Sequence, residues 1–357
     1  MSLPNHGANP KQFAEALAIK LPEQSEDFSV NTNPFGPPES VISLLASGLA
    51  EAASAYPDPH GTALKHAVAA ANDLQPENVL LGNGAAELIF LIAAHFRGKR
   101  VGIIEPAFSE YREACEAYEC EVESIVLPAP WELRLERILP LLPDLDLIFL
   151  CSPNNPTGIS YSRDTIVALL QAAGDHKVYF AVDQAFYDFC LEDVELQSLL
   201  ADHRRLIILR SLTKMYAIAG LRLGYLLAEP GLVQAIAHRQ PPWSVNGLAQ
   251  VAGEQALKEQ RFVKQTVAMI TAERERICAE LERLAFVVSP STVNFYLLSE
   301  QKKQDMKPLL LFLAEKGIVA RHTYNFNGLD GHYIRLAVKQ PEANERLLAV
   351  LREWRER

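Results

Sequence analysis

Five short apolar runs punctuate the chain between residues 78 and 209, and each stops abruptly at polar or glycine-containing sequence. They are Asn78-Val79-Leu80-Leu81, Arg100-Val101-Gly102-Ile103-Ile104, Leu145-Asp146-Leu147-Ile148-Phe149-Leu150, Val178-Tyr179-Phe180-Ala181-Val182 and Leu206-Ile207-Ile208-Leu209. Runs of this length read as buried strands. Helical periodicity lies between them, as from Glu110 to Tyr118. This alternation, from about Pro76 to about Gly231, predicts an α/β fold with a mostly parallel central sheet covered by helices. From Gly247 to Leu284 the pattern predicts one long amphipathic helix. A strand-like stretch from Phe286 to Leu298 comes next, with a turn at Ser289-Pro290-Ser291. After it come a helix through Leu309 to Leu313, a strand Ile318-Val319-Ala320-Arg321 and a strand Tyr333 to Val338. The expected organisation is an N-terminal segment (1–45) joining a small domain, a large α/β domain (46–246) and a small C-terminal α+β domain (247–357).

The candidate chemistry sits just past the predicted strands. Gly82-Asn83-Gly84-Ala85-Ala86-Glu87 succeeds the first, and Cys151-Ser152-Pro153-Asn154-Asn155-Pro156-Thr157-Gly158 succeeds the third. Asp183-Gln184-Ala185-Phe186 succeeds the fourth, and Ser211-Leu212-Thr213-Lys214-Met215-Tyr216 succeeds the fifth, leading into Gly220-Leu221-Arg222-Leu223-Gly224-Tyr225. α/β sheets present functional groups at the carboxyl ends of their strands, so these segments are expected to converge on one edge. Lys214 supplies an amine that becomes a nucleophile when desolvated or flanked by cations. Ser211 and Arg222 supply a hydroxyl and a guanidinium suited to a phosphate. The Ser-x-x-Lys spacing also occurs in β-lactamases, but their Ser-Asp-Asn and Lys-Thr-Gly elements are absent from the sequence. The Gly82-Asn83-Gly84 turn lacks the third glycine and the acidic residue of a dinucleotide fingerprint. It reads better as a turn into a helix whose free N–H groups hold one phosphate.

Composition narrows the classes of function. The 357 residues suit one large or two medium domains, and 34 basic against 44 acidic residues give a net charge of −10. That balance argues against nucleic acid as the main partner. No apolar run of about 18 residues suggests a membrane span, and no secretory signal opens the sequence, so a cytoplasmic protein is expected. Five cysteines (Cys115, Cys120, Cys151, Cys190 and Cys278) include no Cys-x-x-Cys pair, and no metal site is expected.

In this order the motifs resemble the fold type I, pyridoxal phosphate (PLP) dependent aminotransferase superfamily, over nearly the whole chain from His6 to the last helix. The resemblance implies PLP as cofactor and Lys214 as the Schiff-base lysine, later the acid or base at the substrate's α-carbon. It implies that Asp183 pairs with the pyridine nitrogen and keeps the ring protonated as an electron sink. The backbone of Gly84, Ala85 and Ala86, with Ser211 and Arg222, would form the phosphate cup. Asn155 resembles the asparagine bonded to the cofactor's 3′ oxygen and close to the substrate. Phe108 resembles the aromatic residue stacked on the ring. Tyr56 resembles a tyrosine that reaches the neighbouring subunit's cofactor phosphate, which implies a homodimer. Arg335 resembles the arginine that grips the substrate's α-carboxylate.

Two subgroups fit: threonine-phosphate decarboxylases and histidinol-phosphate aminotransferases. Both substrates carry an amine and a phosphate, so both require a second anion cup, for which His6 and Asn31 are candidates with Arg321 as main cation. The threonine-phosphate decarboxylases are the more similar. They share His6-Gly7-Ala8-Asn9, a phenylalanine at Phe186 where aminotransferases usually place tyrosine, and stretches matching Pro242 to Asn246 and Asn325 to Tyr333. The resemblance therefore implies decarboxylation of L-threonine O-3-phosphate to (R)-1-amino-2-propanol phosphate for cobalamin biosynthesis. Amino-group transfer between histidinol phosphate and the 2-oxoglutarate/glutamate pair, as in a histidinol-phosphate aminotransferase, is the alternative.

Overall fold

The computed structural model describes residues 3–191, 195–301 and 303–357. The five apolar runs are strands, and two more complete a seven-stranded sheet. In chain order these are β1 (Val79–Gly82), β2 (Arg100–Glu105), β3 (Glu121–Val126), β4 (Leu147–Cys151), β5 (Tyr179–Asp183), β6 (Leu206–Ser211) and β7 (Gly224–Ala228). Their order across the sheet is β1-β7-β6-β5-β4-β2-β3. All neighbours are parallel except those of β7, which runs against both β1 and β6. Every residue of β1, β4, β6 and β7 is buried, as expected of strands covered by helices on both faces. β3 lies at the sheet edge and stays largely solvent-accessible, so its sequence Glu121-Val122-Glu123-Ser124 carries no apolar run.

This topology places the chemistry. Cys151 ends β4, Asp183 ends β5 and Ser211 ends β6, all on one edge. Because β7 is reversed, its first residue, Gly224, lies opposite both Gly82 and Ser211. Arg222, two residues earlier, is thereby delivered to the same edge. A Cβ on Gly224 would lie 2.7 Å from the Ala85 nitrogen, so a side chain there would push the glycine turn away from the sheet.

A second, four-stranded antiparallel sheet is formed by β8 (Phe286–Val288), β9 (Phe295–Glu300), β10 (Arg321–His322) and β11 (Ile334–Ala337), in the order β10-β11-β9-β8. The expected strand from Ile318 to Arg321 is split. Ile318–Val319 pairs in parallel with Glu26–Asp27, whereas Arg321–His322 pairs with β11. The N-terminal segment supplies the second partner, which no local pattern in the sequence announces. Phe13 and Phe28 from this segment are buried in one apolar cluster with Ile270, Tyr296, Leu309 and Leu347.

The expected single helix from Gly247 to Leu284 is also corrected. It is two helices, Gly247–Ala256 and Gln260–Arg283. Glu259 breaks the helical dihedrals at the junction, where its carboxylate accepts hydrogen bonds from Ser40 Oγ and from Gln255 Nε2 at 3.1 Å. Tertiary anchoring thus overrides a periodicity that would otherwise continue. Among the described residues no helix is long and apolar enough to cross a membrane.

Candidate active site

A cavity of about 270 Å³ opens where the strand ends meet the small sheet and the N-terminal segment. It collects Ala85, Ala86, Phe108, Asn155, Asp183, Ser211, Lys214 and Arg222 from the large sheet's edge. His6, Asn31, Arg321 and Arg335 line it from the other side. Of the residues singled out in the sequence, Gly84 and Tyr56 do not line it.

Gly84 serves beneath the wall. It begins the helix Gly84–His95 with φ +80, and a Cβ there would sit 2.5 Å from Arg222 Nη2. The close approach seats the Arg222 guanidinium over the helix start, where the first N–H groups have no helical partner. Ser211 stands beside them, its hydroxyl 2.8 Å from Thr213 Oγ1. A helix N-terminus, a hydroxyl and a guanidinium form a donor set for one phosphate.

Lys214 sits on the single helical turn Leu212–Met215 that succeeds β6. Asn33 clamps this turn: its backbone N–H donates to Lys214 O at 2.9 Å, and its Nδ2 donates to Met215 O at 2.8 Å. The amine faces the cavity. Burial, with Arg335 and Arg222 nearby, lowers its pKa to about 8, so neutral amine is accessible near physiological pH. The Phe186 ring gives Lys214 an apolar neighbour, its centroid 5.9 Å from Nζ, and packs edge-on against Phe295.

Asp183 is buried at the end of β5. Its Oδ2 accepts from the Tyr111 hydroxyl at 2.7 Å and its Oδ1 from the Ala185 N–H at 2.8 Å. Burial raises its carboxyl pKa, opposed by those hydrogen bonds and by Lys214. A buried carboxylate of this kind gains most from a cationic partner in the cavity.

The other wall is cationic. Arg321 on β10 and Arg335 on β11 are directly opposite in register, although they are only 4% and 6% exposed. Like charges facing across strands destabilise a sheet. Burial lowers the Arg321 pKa to about 10, and burial with the Arg321 charge lowers that of Arg335 to about 9. Arg335 donates through Nη1 to Asn155 Oδ1 and through Nη2 to Ser29 O at 2.8 Å. Arg321 Nη2 donates to Asn5 O and, at 2.7 Å, to Asn325 Oδ1. Arg321 Nη1, Arg335 Nε and Asn31 Nδ2 are buried without a hydrogen-bond partner among the described residues. Such donors carry a large desolvation cost, which an anion in the cavity would offset.

Sequence reasoning missed Glu110 and Tyr111, both of which line the cavity. Glu110 accepts from Ser109 Oγ at 3.0 Å and lies 3.7 Å from His6 Nδ1. Burial pushes its carboxyl pKa up to about 7. An acid in the first turn of a helix reads in sequence as a simple complement to the helix dipole. Tyr111 lies 72 positions from its partner Asp183, a link that only the sheet order creates. Tyr56 is 84% exposed and pairs with the half-exposed Trp243, ring centroids 5.2 Å apart, outside this cavity.

The residues present fit PLP. The arrangement offers a phosphate cup with a depressed-pKa lysine beside it, a buried acid for the ring nitrogen, and Phe108 in the wall. The paired arginines remain for a second anionic molecule.

Comparison with known proteins agrees. The family model described as aminotransferase class I and II matches residues 23–351. The chain is 37% identical to the threonine-phosphate decarboxylase of Salmonella typhimurium, over 97% of this chain and 95% of that protein. Among solved structures, the histidinol-phosphate aminotransferase of Clostridium acetobutylicum superposes with a TM-score of 0.87 at 27% identity, covering 92% of this chain and 98% of that one. The L-threonine-O-3-phosphate decarboxylase of Porphyromonas gingivalis gives 0.82 at 29% identity, covering 92% and 99%.

Proposed function

The chain belongs to aminotransferase class I and II, with pyridoxal 5′-phosphate as its cofactor, and from that premise we propose that it decarboxylates L-threonine O-3-phosphate. The product is (R)-1-amino-2-propanol phosphate, a building block for cobalamin. The observation that carries this reading is the buried arginine pair. Arg321 and Arg335 face each other with unpartnered donors, beside a separate cup for the cofactor's phosphate. Two anion sites suit an amino acid that bears both a carboxylate and a phosphate. The similarity to the Salmonella decarboxylase and the phenylalanine at position 186 support decarboxylation over amino-group transfer.

Bound PLP supplies the electron sink for the bond that breaks at the substrate's α-carbon. The protein's part is orientation and proton delivery. Arg335 holds the substrate carboxylate, with Asn155 bonded to its guanidinium. Arg321, with His6 and Asn31, holds the substrate phosphate and so fixes the direction of the carbon–carboxylate bond. That bond cleaves, CO₂ departs, and the Lys214 ammonium donates a proton to the α-carbon. The N-terminal segment and Phe186 exclude water from the lysine. Tyr56, exposed beside Trp243, is assigned to the partner's cofactor phosphate in a homodimer.

The test is direct. Purified protein releases CO₂ from threonine phosphate without any keto acid. A strict requirement for 2-oxoglutarate, with conversion of histidinol phosphate, would replace this reading by amino-group transfer.

A further inference from the structure

The acid at the end of β5 has a partner whose role the family resemblance did not supply. Tyr111 is fully buried in the helix Glu110–Ala117, two residues after the Glu105-Pro106-Ala107-Phe108 turn has placed Ser109. Its ring is fixed on two sides. It stacks on Phe149 at 5.1 Å and 10°, and meets Phe108 edge-on at 6.0 Å and 81°. The hydroxyl is therefore delivered to one point, Asp183 Oδ2, at 2.7 Å. Ala185 N–H occupies the other carboxylate oxygen. An ionised carboxylate has about four lone-pair sites, so capacity remains for one further donor from the cavity.

We infer that Tyr111 is a positioning residue for the cofactor: its hydroxyl holds Asp183 as an oriented carboxylate and so keeps the proton on the ring nitrogen of PLP. This rests on the proposed pairing of Asp183 with that nitrogen. Two bases compete there for one proton. A carboxylate and a pyridine nitrogen in contact share it according to their relative basicities. A hydrogen bond donated to the carboxylate stabilises its charged form and lowers its basicity. Without that bond, a desolvated Asp183 draws the proton from the ring, and the ring loses its positive charge. Two other titratable groups face the pair. The Cys151 thiol lies against both the phenol and the carboxylate and stays neutral, because burial raises its pKa far above the physiological range. Lys214 stabilises the carboxylate from the cavity side. Neither replaces the directed donor.

The experiment uses the holoenzyme reconstituted with PLP labelled with ¹⁵N in its ring, and reads the nitrogen resonance together with the cofactor's dissociation constant. Tyr111→Phe keeps the ring and its stacking but deletes the hydroxyl. The expected result is a resonance moved toward that of an unprotonated pyridine, with PLP affinity about tenfold weaker, the usual scale for a hydrogen bond to a charged group. Incorporation of 3-fluorotyrosine at position 111 leaves the fold intact and strengthens the donor, so the resonance moves the opposite way or stays fully protonated. Asp183→Asn separates the two levels of the argument. If Asp183→Asn shifts the resonance and Tyr111→Phe does not, the role given to Tyr111 is wrong while the Asp183 pairing stands. If neither variant shifts it, the pairing fails as well.

Discussion

Glu110 is an acid placed where ionisation is costly, and that cost is measurable in the protein without cofactor. Its side chain is 15% exposed, on the first turn of Glu110–Ala117, and burial raises its pKa to about 7 from an ordinary 4.5. His6, Arg321 and Lys214 face it from the N-terminal segment, β10 and the turn after β6, and Glu113 from its own helix. At 1.36 kcal/mol per pH unit, that difference corresponds to about 3 kcal/mol. Linkage sets the sign. A carboxyl whose folded pKa is raised contributes stability that is fully present below pH 4.5 and is lost as pH rises through 7. Glu110→Gln cannot ionise, so it escapes the loss. Urea unfolding of wild-type and variant apoprotein at pH 4 and pH 8.5 isolates the effect, because Lys214 and the other shifted groups are common to both. The variant should gain about 3 kcal/mol on wild type between the two pH values. A difference that does not change with pH would refute the claim that burial dominates at this site. A variant that weakens at high pH would show that the His6 and Arg321 contacts to the carboxylate dominate instead.

The same geometry sets three further outcomes. Gly84→Ala places a methyl 2.5 Å from Arg222 Nη2 in a left-handed backbone, so PLP affinity measured by fluorescence titration should fall about 10- to 100-fold, the scale of one or two charge-assisted hydrogen bonds. Apoprotein mixed with PLP should reconstitute faster as pH rises and level off above about 8, because the Lys214 amine reacts only when neutral; a flat rate profile would contradict its lowered pKa. Sedimentation should give twice the chain mass, and Trp243→Glu, beside Tyr56, should lower it toward that of one chain and reduce activity with it.

Much of this site was legible because each catalytic segment comes directly after an apolar run that could only be a strand. Ser211, Lys214, Asp183 and Asn155 carry both the strand's end and the chemistry within a few residues. Arg222 was readable as a candidate for a phosphate site, but its presence on the same edge depends on the reversal of β7, which no periodicity encodes. Tyr111 and Glu110 were not legible. One finds its partner two strands away, and the other looks locally like an ordinary helix-starting acid. The errors in the elements have the same origin. Residues 257–259 interrupt a good helical pattern because Ser40 anchors Glu259 from a distant helix, and the 318–321 strand divides because the N-terminal segment takes half of it.

The clamp at Asn33 has a consequence for how the molecule answers its substrate. Asn31, two residues away, offers an unpartnered amide to the cavity, while Asn33 grips the backbone of Lys214 and Met215. One short stretch of main chain thus lines the cavity at Asn31 and holds, at Asn33, the backbone turn that carries the Lys214 amine. If Asn31 holds the substrate as proposed, a shift of this stretch on docking would reach the turn that carries Lys214 across only two residues, coupling recognition to the placement of the lysine.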